Sequence, residues 1–238
     1  MTLPFTEEQK TELQLAEAQR MALLWMRTSA EYRALCYQGY NAALVEIARA
    51  QANPAARSGK PLAIVLDCDE TVVDNTRALA EAAAAGNGRY NSLWWRATIS
   101  EARSEAMPGA ADFLNEVARR GVAIFYVGNR WSEVNYEPTV QNLKELGFPS
   151  VDAEHILLRD DLKRSDKEPR FDAIAENYDI ALSTWATTWA TSRSTPAARR
   201  VMSATPSSTR QRRTSARATS SSRTPSTAHG SARCQGNI

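Results

Sequence analysis

Residues 62–66 read Leu-Ala-Ile-Val-Leu, an apolar run with no polar interruption, and the chain then turns acidic at once in Asp67-Cys68-Asp69-Glu70-Thr71-Val72-Val73-Asp74-Asn75-Thr76. An unbroken run of this length predicts a parallel strand covered on both faces, because a strand with one wet face alternates apolar and polar residues. Such strands belong to α/β sheets, which place their chemistry at the C-terminal ends of the strands. Side chains two apart in an extended stretch share a face, so the spacing predicts that Asp67 and Asp69 are delivered together to one site.

Two carboxylates so placed can divide a phosphoryl transfer between them. One attacks phosphorus in line and forms an aspartyl-phosphate, while the other protonates the leaving oxygen and then activates water. Two anions facing an anionic substrate require a cation, and oxygen ligands with retained waters suit Mg²⁺. A bare Asp-x-Asp pair is also a common turn or helix-cap pattern; the strand before it and Glu70-Thr71 after it narrow the reading.

The residues around this pair carry a family resemblance. Asp67-x-Asp69-Glu70-Thr71 with Asp74-Asn75 resembles the first motif of the haloacid dehalogenase superfamily, in the form found in the class C non-specific acid phosphatases, or lipoprotein e family 5'-nucleotidases. The likeness runs from about Leu24 to Leu182. Trp25-Met26, Ser29-Ala-Glu31-Tyr32-Arg-Ala-Leu35 and Tyr37-Gln38-x-Tyr40-Asn41-Ala-Ala43 resemble the family's N-terminal helical segment. Pro108-Gly109-Ala110 with Phe113 resembles the turn into its next helix, and Ile124-Phe125-Tyr126-Val127-Gly128-Asn129-Arg130 its second core strand and second motif. Asn142-Leu143 with Leu146-Gly147-Phe148-Pro149 resembles the helix and turn that follow, and Lys167, in Lys167-Glu168-Pro169-Arg170-Phe171, stands where the family carries its third-motif lysine.

The resemblance implies a Rossmann-like α/β core, a parallel sheet flanked by helices, with an N-terminal helical extension and a small cap insertion. It implies a Mg²⁺-dependent phosphatase acting on small-molecule phosphomonoesters, nucleoside 5'-monophosphates in particular. Asp67 would be nucleophile, Asp69 general acid and base, Asp67 and the carbonyl of Asp69 metal ligands, and Gly128, Asn129 and Lys167 phosphate-binding residues. A phosphotransferase that passes the same phosphoryl group to an alcohol is not separated from a hydrolase by sequence.

This chain departs from the family pattern in two places. Relatives place Thr or Ser where Gly128 stands, so the backbone amide or Asn129 would have to replace that hydroxyl; Lys163, in Asp160-Asp161-Leu162-Lys163-Arg164-Ser165-Asp166, is a rival to Lys167 as the point cation. After Ile180-Ala181-Leu182 the family continues into a sequence such as Tyr-Val-Gly-Asp-Asn-Leu-Gly-Asp-Phe, whose acids bind Mg²⁺, whereas this chain has Thr184-Trp185-Ala186-Thr187-Thr188-Trp189-Ala190-Thr191-Ser192. The genetic code connects the two. Those residues require ACN TGG GCN ACN ACN TGG GCN ACN TCN, and the frame one base upstream reads xAC NTG GGC NAC NAC NTG GGC NAC NTC, which permits the family sequence and forces both glycines. The same shift over Ser222-Arg223-Thr224-Pro225-Ser226-Thr227-Ala228 permits Val-Pro-Asn-Pro-Val-Tyr-Gly, like the family's C-terminal signature. A frameshift between about Leu182 and Thr184 is the expectation.

Composition changes at the same point. Residues 183–238 hold no Asp or Glu, nine Arg, and 23 Ser or Thr, while the part before them holds all 27 acids against 20 Lys and Arg. The overall charge of +2 is therefore −7 followed by +9. A tail with so few apolar residues is expected to be disordered. It also supplies the alternative to an enzyme: a catalytically dead remnant whose arginines bind nucleic acid through its phosphates, with Trp185 and Trp189 as stacking groups, or which aggregates. The domains expected are thus a helical extension over residues 1–57, a phosphatase core over 58–182 with a cap insertion at about 77–107, and the low-complexity tail over 183–238.

Within the cap, Ala78–Ala85 reads as helix, Gly86-Asn87-Gly88 breaks it, and Tyr90, Trp94 and Trp95 follow. Trp94 and Trp95 are substrate-binding candidates that would stack on a nucleobase, or else pack cap against core. Residues 111–120 predict an amphipathic helix stopped by Gly121, and 122–127 the next buried strand. His155 reads as a surface loop residue, and His229 and Cys234 fall in the tail. With Cys36 on a helix and Cys68 between the acids, the cysteines form no disulfide framework. The opening residues, Met1-Thr2-Leu3-Pro4-Phe5-Thr6, show neither the apolar stretch of a signal peptide nor a lipidated cysteine. Relatives are exported to the bacterial outer membrane or periplasm; a chain starting here would be cytoplasmic, and no transmembrane segment is expected.

Overall fold

The computed structural model describes residues 6–160 and 165–183. Lys163, Trp185, Trp189, His229, Cys234, the expected frameshift sequence and the expected disordered tail lie outside the described residues. In chain order the elements are α1 (Glu7–Thr28), α2 (Ala30–Ala52), β1 (Leu62–Leu66), β2 (Val73–Asp74), α3 (Thr76–Ala84), α4 (Ser92–Ser100), β3 (Glu105–Ala106), α5 (Ala110–Arg119), β4 (Ala123–Trp131), α6 (Ser132–Glu145), β5 (Ile156–Arg159), α7 (Glu168–Asn177) and β6 (Asp179–Ser183).

Four strands form one sheet in the order β5-β4-β1-β6, every neighbouring pair parallel. The unbroken apolar run has the expected cause. All five residues of β1 are buried because both faces are covered. Leu62, Ile64 and Leu66 of β1 share a core with Ile124 and Tyr126 of β4, Ile156 and Leu158 of β5, and residues from α2, α5 and α6. The alternate residues Ala63, Val65, Phe125 and Val127 pack against Phe171 and Ile174 of α7 on the other face. The strand expected over 122–127 runs on to Trp131, which makes Gly128, Asn129 and Arg130 strand residues. Its register against β5 breaks there: Val127 pairs with Leu157, and the next pair is Trp131 with Arg159.

The helical segment expected over residues 1–57 divides its allegiance. α2 drives Ile47, fully buried, into the sheet's core, and the Oγ of Ser29 caps it by accepting the amide of Tyr32 at 2.9 Å. α1 lies instead along α3 of the cap, burying Ala16 and Leu23 against Ala83. The contact is close enough that a Cβ on Gly88 would stand 2.4 Å from the amide nitrogen of Ala16 and 2.6 Å from the carbonyl oxygen of Glu12. Antiparallel β2 and β3 bracket the segment expected as the cap insertion, pairing Val73 with Ala106 and Asp74 with Glu105. Among the described residues no helix is long and apolar enough to cross a membrane.

Candidate active site

Asp67 follows the last residue of β1 and continues its alternation onto the α7 face, where it is 8% exposed. Its Oδ2 lies 2.7 Å from Nζ of Lys167, which stands at the N-terminus of α7 and is itself buried. Its Oδ1 accepts the amide of Cys68 at 2.8 Å. Burial is the largest influence on the Asp67 carboxyl and pushes its pKa up; the charge and hydrogen bond of Lys167 oppose the rise, and the charge of Asp69 adds to it.

The carboxylate of Asp69 is paired with a cation of its own. The strand ends at Leu66, and the amides of Thr71, Val72 and Val73 all converge on the carbonyl of Cys68, at 3.3, 3.0 and 3.0 Å, so the backbone has already turned. Glu70 takes up the reversal with a φ of +53°, and the hydroxyl of Tyr40 from α2 donates to the carbonyl of Thr71 at 2.5 Å. The carboxylate of Asp69 is gripped by Arg130: Nη2 donates to Oδ1 at 2.7 Å, and Nε lies 3.1 and 3.2 Å from the two oxygens. Arg130 is 3% exposed and donates its Nη1 to Oγ1 of Thr139 on α6 at 3.1 Å. Asn75 completes the grip, its Nδ2 donating to Oδ1 of Asp69 at 2.9 Å and its own Oδ1 accepting Ser104 Oγ at 2.6 Å. Two acids therefore have two different cations. Beside them the carboxyl of Glu70 is pushed up to about 7, by burial first and by the charge of Asp69 second. The Cys68 thiol is buried and pushed up to about 12, which makes it a packing residue of low reactivity.

Alternation also sorts the second motif. Asn129 lies on the α7 face with Asp67; its Nδ2 donates to the carbonyl of Ser165 at 3.0 Å, and its Oδ1 accepts Nη2 of Arg170 at 2.9 Å. Gly128 is buried on the opposite face, where a Cβ would meet Sγ of Cys68 and Cδ2 of Leu158, each at 3.5 Å. Trp94 and Trp95 stand in the first turn of α4, half-buried, with ring centres 5.9 Å apart and Tyr90 6.3 Å from Trp95. α4 is pinned beside the end of β4: Nδ2 of Asn135 donates to the carbonyl of Arg96 at 3.0 Å, and the Arg96 guanidinium lies 4.3 Å from the centre of the Trp131 ring. His155 is half-buried, not open to solvent, with Nδ1 2.7 Å from Asp152 and its ring against Phe125.

The residues that sequence reasoning passed over are those whose partners are distant in the chain. Arg130 reaches Asp69 across 61 positions, and Arg170 reaches Gly128 across 42. A charged residue inside an otherwise apolar strand was the available signal for Arg130, since a buried charge demands a partner.

A metal ion is implied by the superfamily resemblance, and the residues present fit Mg²⁺ in kind. The donors at the end of β1 are oxygens, the Asp67 carboxylate and the backbone carbonyl of Asp69, which suit a hard cation that keeps part of its water. Among the described residues there is no cluster of three or more His, Cys, Asp or Glu side chains able to hold a metal.

Residues 5–186 match the family described as HAD superfamily, subfamily IIIB (Acid phosphatase). The chain is similar to the class C acid phosphatase of Bacillus anthracis in its tungstate-bound crystal structure, at 39% identity over 71% of this chain and 68% of that one, with a TM-score of 0.65. A second structure of the Bacillus anthracis enzyme matches at 38% identity over 70% of this chain and 67% of that one, with a TM-score of 0.63. With Asp67 at the C-terminal end of a buried parallel strand and Lys167 against it, these matches identify the chain as a member of the HAD superfamily, subfamily IIIB acid phosphatases, a phosphoric monoester hydrolase by family.

Proposed function

We propose that the site hydrolyses small phosphomonoesters, nucleoside 5'-monophosphates among them, through an aspartyl-phosphate on Asp67. The observation that carries this reading is the buried Asp67–Lys167 pair, 2.7 Å apart at the end of β1, with the Asp69 carboxylate held separately by Arg130. In the first half-reaction an Asp67 oxygen forms a bond to phosphorus as the bond to the ester oxygen breaks, and Asp69 gives its proton to the departing alkoxide. In the second, Asp69 takes a proton from water, the water oxygen bonds to phosphorus, and the acyl-phosphate bond breaks to release phosphate and free Asp67. Lys167 offsets negative charge on Asp67 and on the phosphoryl oxygens, and the backbone at Gly128 and Asn129 supplies donors to them. Asp67 and the carbonyl of Asp69 would hold Mg²⁺, which when bound neutralises further phosphoryl charge. Trp94 and Trp95 offer apolar ring surface for a base. On the family expectation drawn from the sequence, the protein would work in the periplasm or at the outer membrane.

Residues 184–192 contain no acid where relatives complete the metal site, so we infer weak Mg²⁺ binding and low turnover for the chain as written, and a frameshift near Leu182–Thr184 as the cause. Sequencing the gene from the codon of Tyr178 onward decides between a natural shift and a recorded error. The enzymatic reading is tested by phosphate release from a nucleoside monophosphate with and without Mg²⁺. Asp67→Asn is expected to lower turnover at least about 10³-fold with the melting temperature retained, and unchanged turnover would remove Asp67 as nucleophile. The alternative, an inactive remnant with a nucleic-acid-binding tail, rests on the nine arginines and absent acids of residues 183–238. It predicts salt-sensitive retention on nucleic acid that disappears when those residues are deleted.

A further inference from the structure

Arg170 lies in the first turn of α7, where the helix dipole disfavours a cation, and burial pulls its pKa down. Its guanidinium nevertheless faces inward and is engaged at four points. Nη1 donates to the carbonyl of Gly128 at 2.6 Å and to that of Leu157 at 3.1 Å. Nη2 donates to Oδ1 of Asn129 at 2.9 Å and to the carbonyl of Asp166 at 3.2 Å. These acceptors belong to three separate pieces of the molecule: the end of β4, the strand β5, and the segment leading into Lys167.

The place where they meet is the irregularity in the sheet. β4 and β5 lose register between Val127 and Trp131, and the Gly128 and Leu157 carbonyls flank that gap. An irregularity of this kind bends a strand and re-aims its side chains, and it recurs beside active sites. Asn129 falls within that gap, and its side-chain amide is held at both ends, by Arg170 and by the carbonyl of Ser165. Ser165, Asp166 and Lys167 follow one another directly, so the same network sets the position from which Lys167 reaches Asp67.

We propose that Arg170 is a positioning residue for phosphoryl transfer: its planar fork locks the interrupted end of β4 to the first turn of α7, and thereby holds Lys167 and the Gly128–Asn129 backbone around the phosphate to be bound by Asp67. The inference rests on the reading of Asp67 and Lys167 given above. It assigns the fork, beyond the charge, as the working feature, because a lysine ammonium is a single point donor that cannot replace two nitrogens engaging four acceptors.

The test compares Arg170→Lys, Arg170→Gln, Lys167→Met and Ile174→Ala in the full chain. Turnover of p-nitrophenyl phosphate, calorimetric binding of orthophosphate and melting temperature are the readouts. Both Arg170 variants are expected to lose about 10- to 100-fold in kcat/KM, the range typical of residues that orient a working group, and to bind orthophosphate more weakly. Ile174→Ala, which loosens α7 from the sheet without touching the network, is expected to lower the melting temperature with kcat/KM within about twofold of the parent. Arg170→Lys at parental activity overturns the proposal, as does a loss in Ile174→Ala equal to that in Arg170→Gln. Parental activity in Lys167→Met instead overturns the reading of the site itself. A parent chain that neither turns over substrate nor binds orthophosphate, measured with saturating Mg²⁺, overturns both.

Discussion

At position 128 the side chain is missing where relatives carry a hydroxyl, and the surroundings show what its return would meet. A Cβ there would make ordinary contacts of 3.5 Å with Cys68 and Leu158, so the site admits a small side chain without displacing backbone. Gly128→Ser is therefore expected to fold normally and, because its side chain would point at Cys68 and Leu158 on the face away from Asp67, to leave orthophosphate affinity within about twofold of the parent. Calorimetry checks this; a gain of about tenfold, the worth of one hydrogen bond to a charged group, would show that the hydroxyl reaches the phosphate after all. Asp69 teaches a related lesson at the same scale. Its partner Arg130 is nearly fully buried and also tied to Thr139, so Arg130→Met is expected to strand a carboxylate and cost about 3–5 kcal/mol in stability, measurable by urea unfolding.

Two glycines separate what an element needs from what a contact needs. Gly39 lies exposed in the middle of α2 with nothing within 4 Å of a built Cβ, so Gly39→Ala is expected to stabilise by about 0.5–1 kcal/mol through helix propensity alone. Gly88 has the backbone of α1 at 2.4 and 2.6 Å, so Gly88→Ala must push helix and cap loop apart. A loss of about 1–3 kcal/mol is expected, with faster amide exchange in α1 than in α2. Equal protection of the two helices would contradict the division seen here, in which α1 is bound to the cap and α2 to the sheet. That division also gives the N-terminal segment a part in the site: Tyr40 of α2 holds the turn after Asp69, and Arg27 of α1 donates to Thr76 at the start of the cap at 3.2 Å.

At the scale of the whole molecule the chain joins an acidic phosphatase-like part, −7 over residues 1–182, to a tail of +9. The proposed site in the first part carries Asp67, Asp69, Asn129 and Lys167, and among the described residues no cluster of three or more His, Cys, Asp or Glu side chains is placed to hold a metal. Replacing residues 184–192 by Tyr-Val-Gly-Asp-Asn-Leu-Gly-Asp-Phe and continuing in that frame is expected to lower the Mg²⁺ concentration for half-maximal turnover by about 10- to 100-fold. A titration of phosphate release against Mg²⁺ checks it. No change would mean that the acids supplied by the second frame are not ligands.

The α/β class, the buried strand ending at Asp67, the helices around it and the family were legible in the residues themselves, because a continuous apolar run, a glycine stop and a motif of adjacent residues are local properties that a sequence records directly. Other features belong to the tertiary structure. The turn at Cys68 gives the two acids different cations, and β4 runs beyond its apolar stretch to Trp131, where Ser165 and Arg170 hold Asn129 and Asp69 and Thr139 hold Arg130. The pairing of Asp69 with Arg130, of Asp67 with Lys167, and of Arg170 with the broken register of the sheet joins residues far apart in the chain. A sequence states which side chains carry charge and how they alternate along a strand; which charges neutralise one another is decided only when the strands and helices that carry them are packed side by side and water is excluded between them.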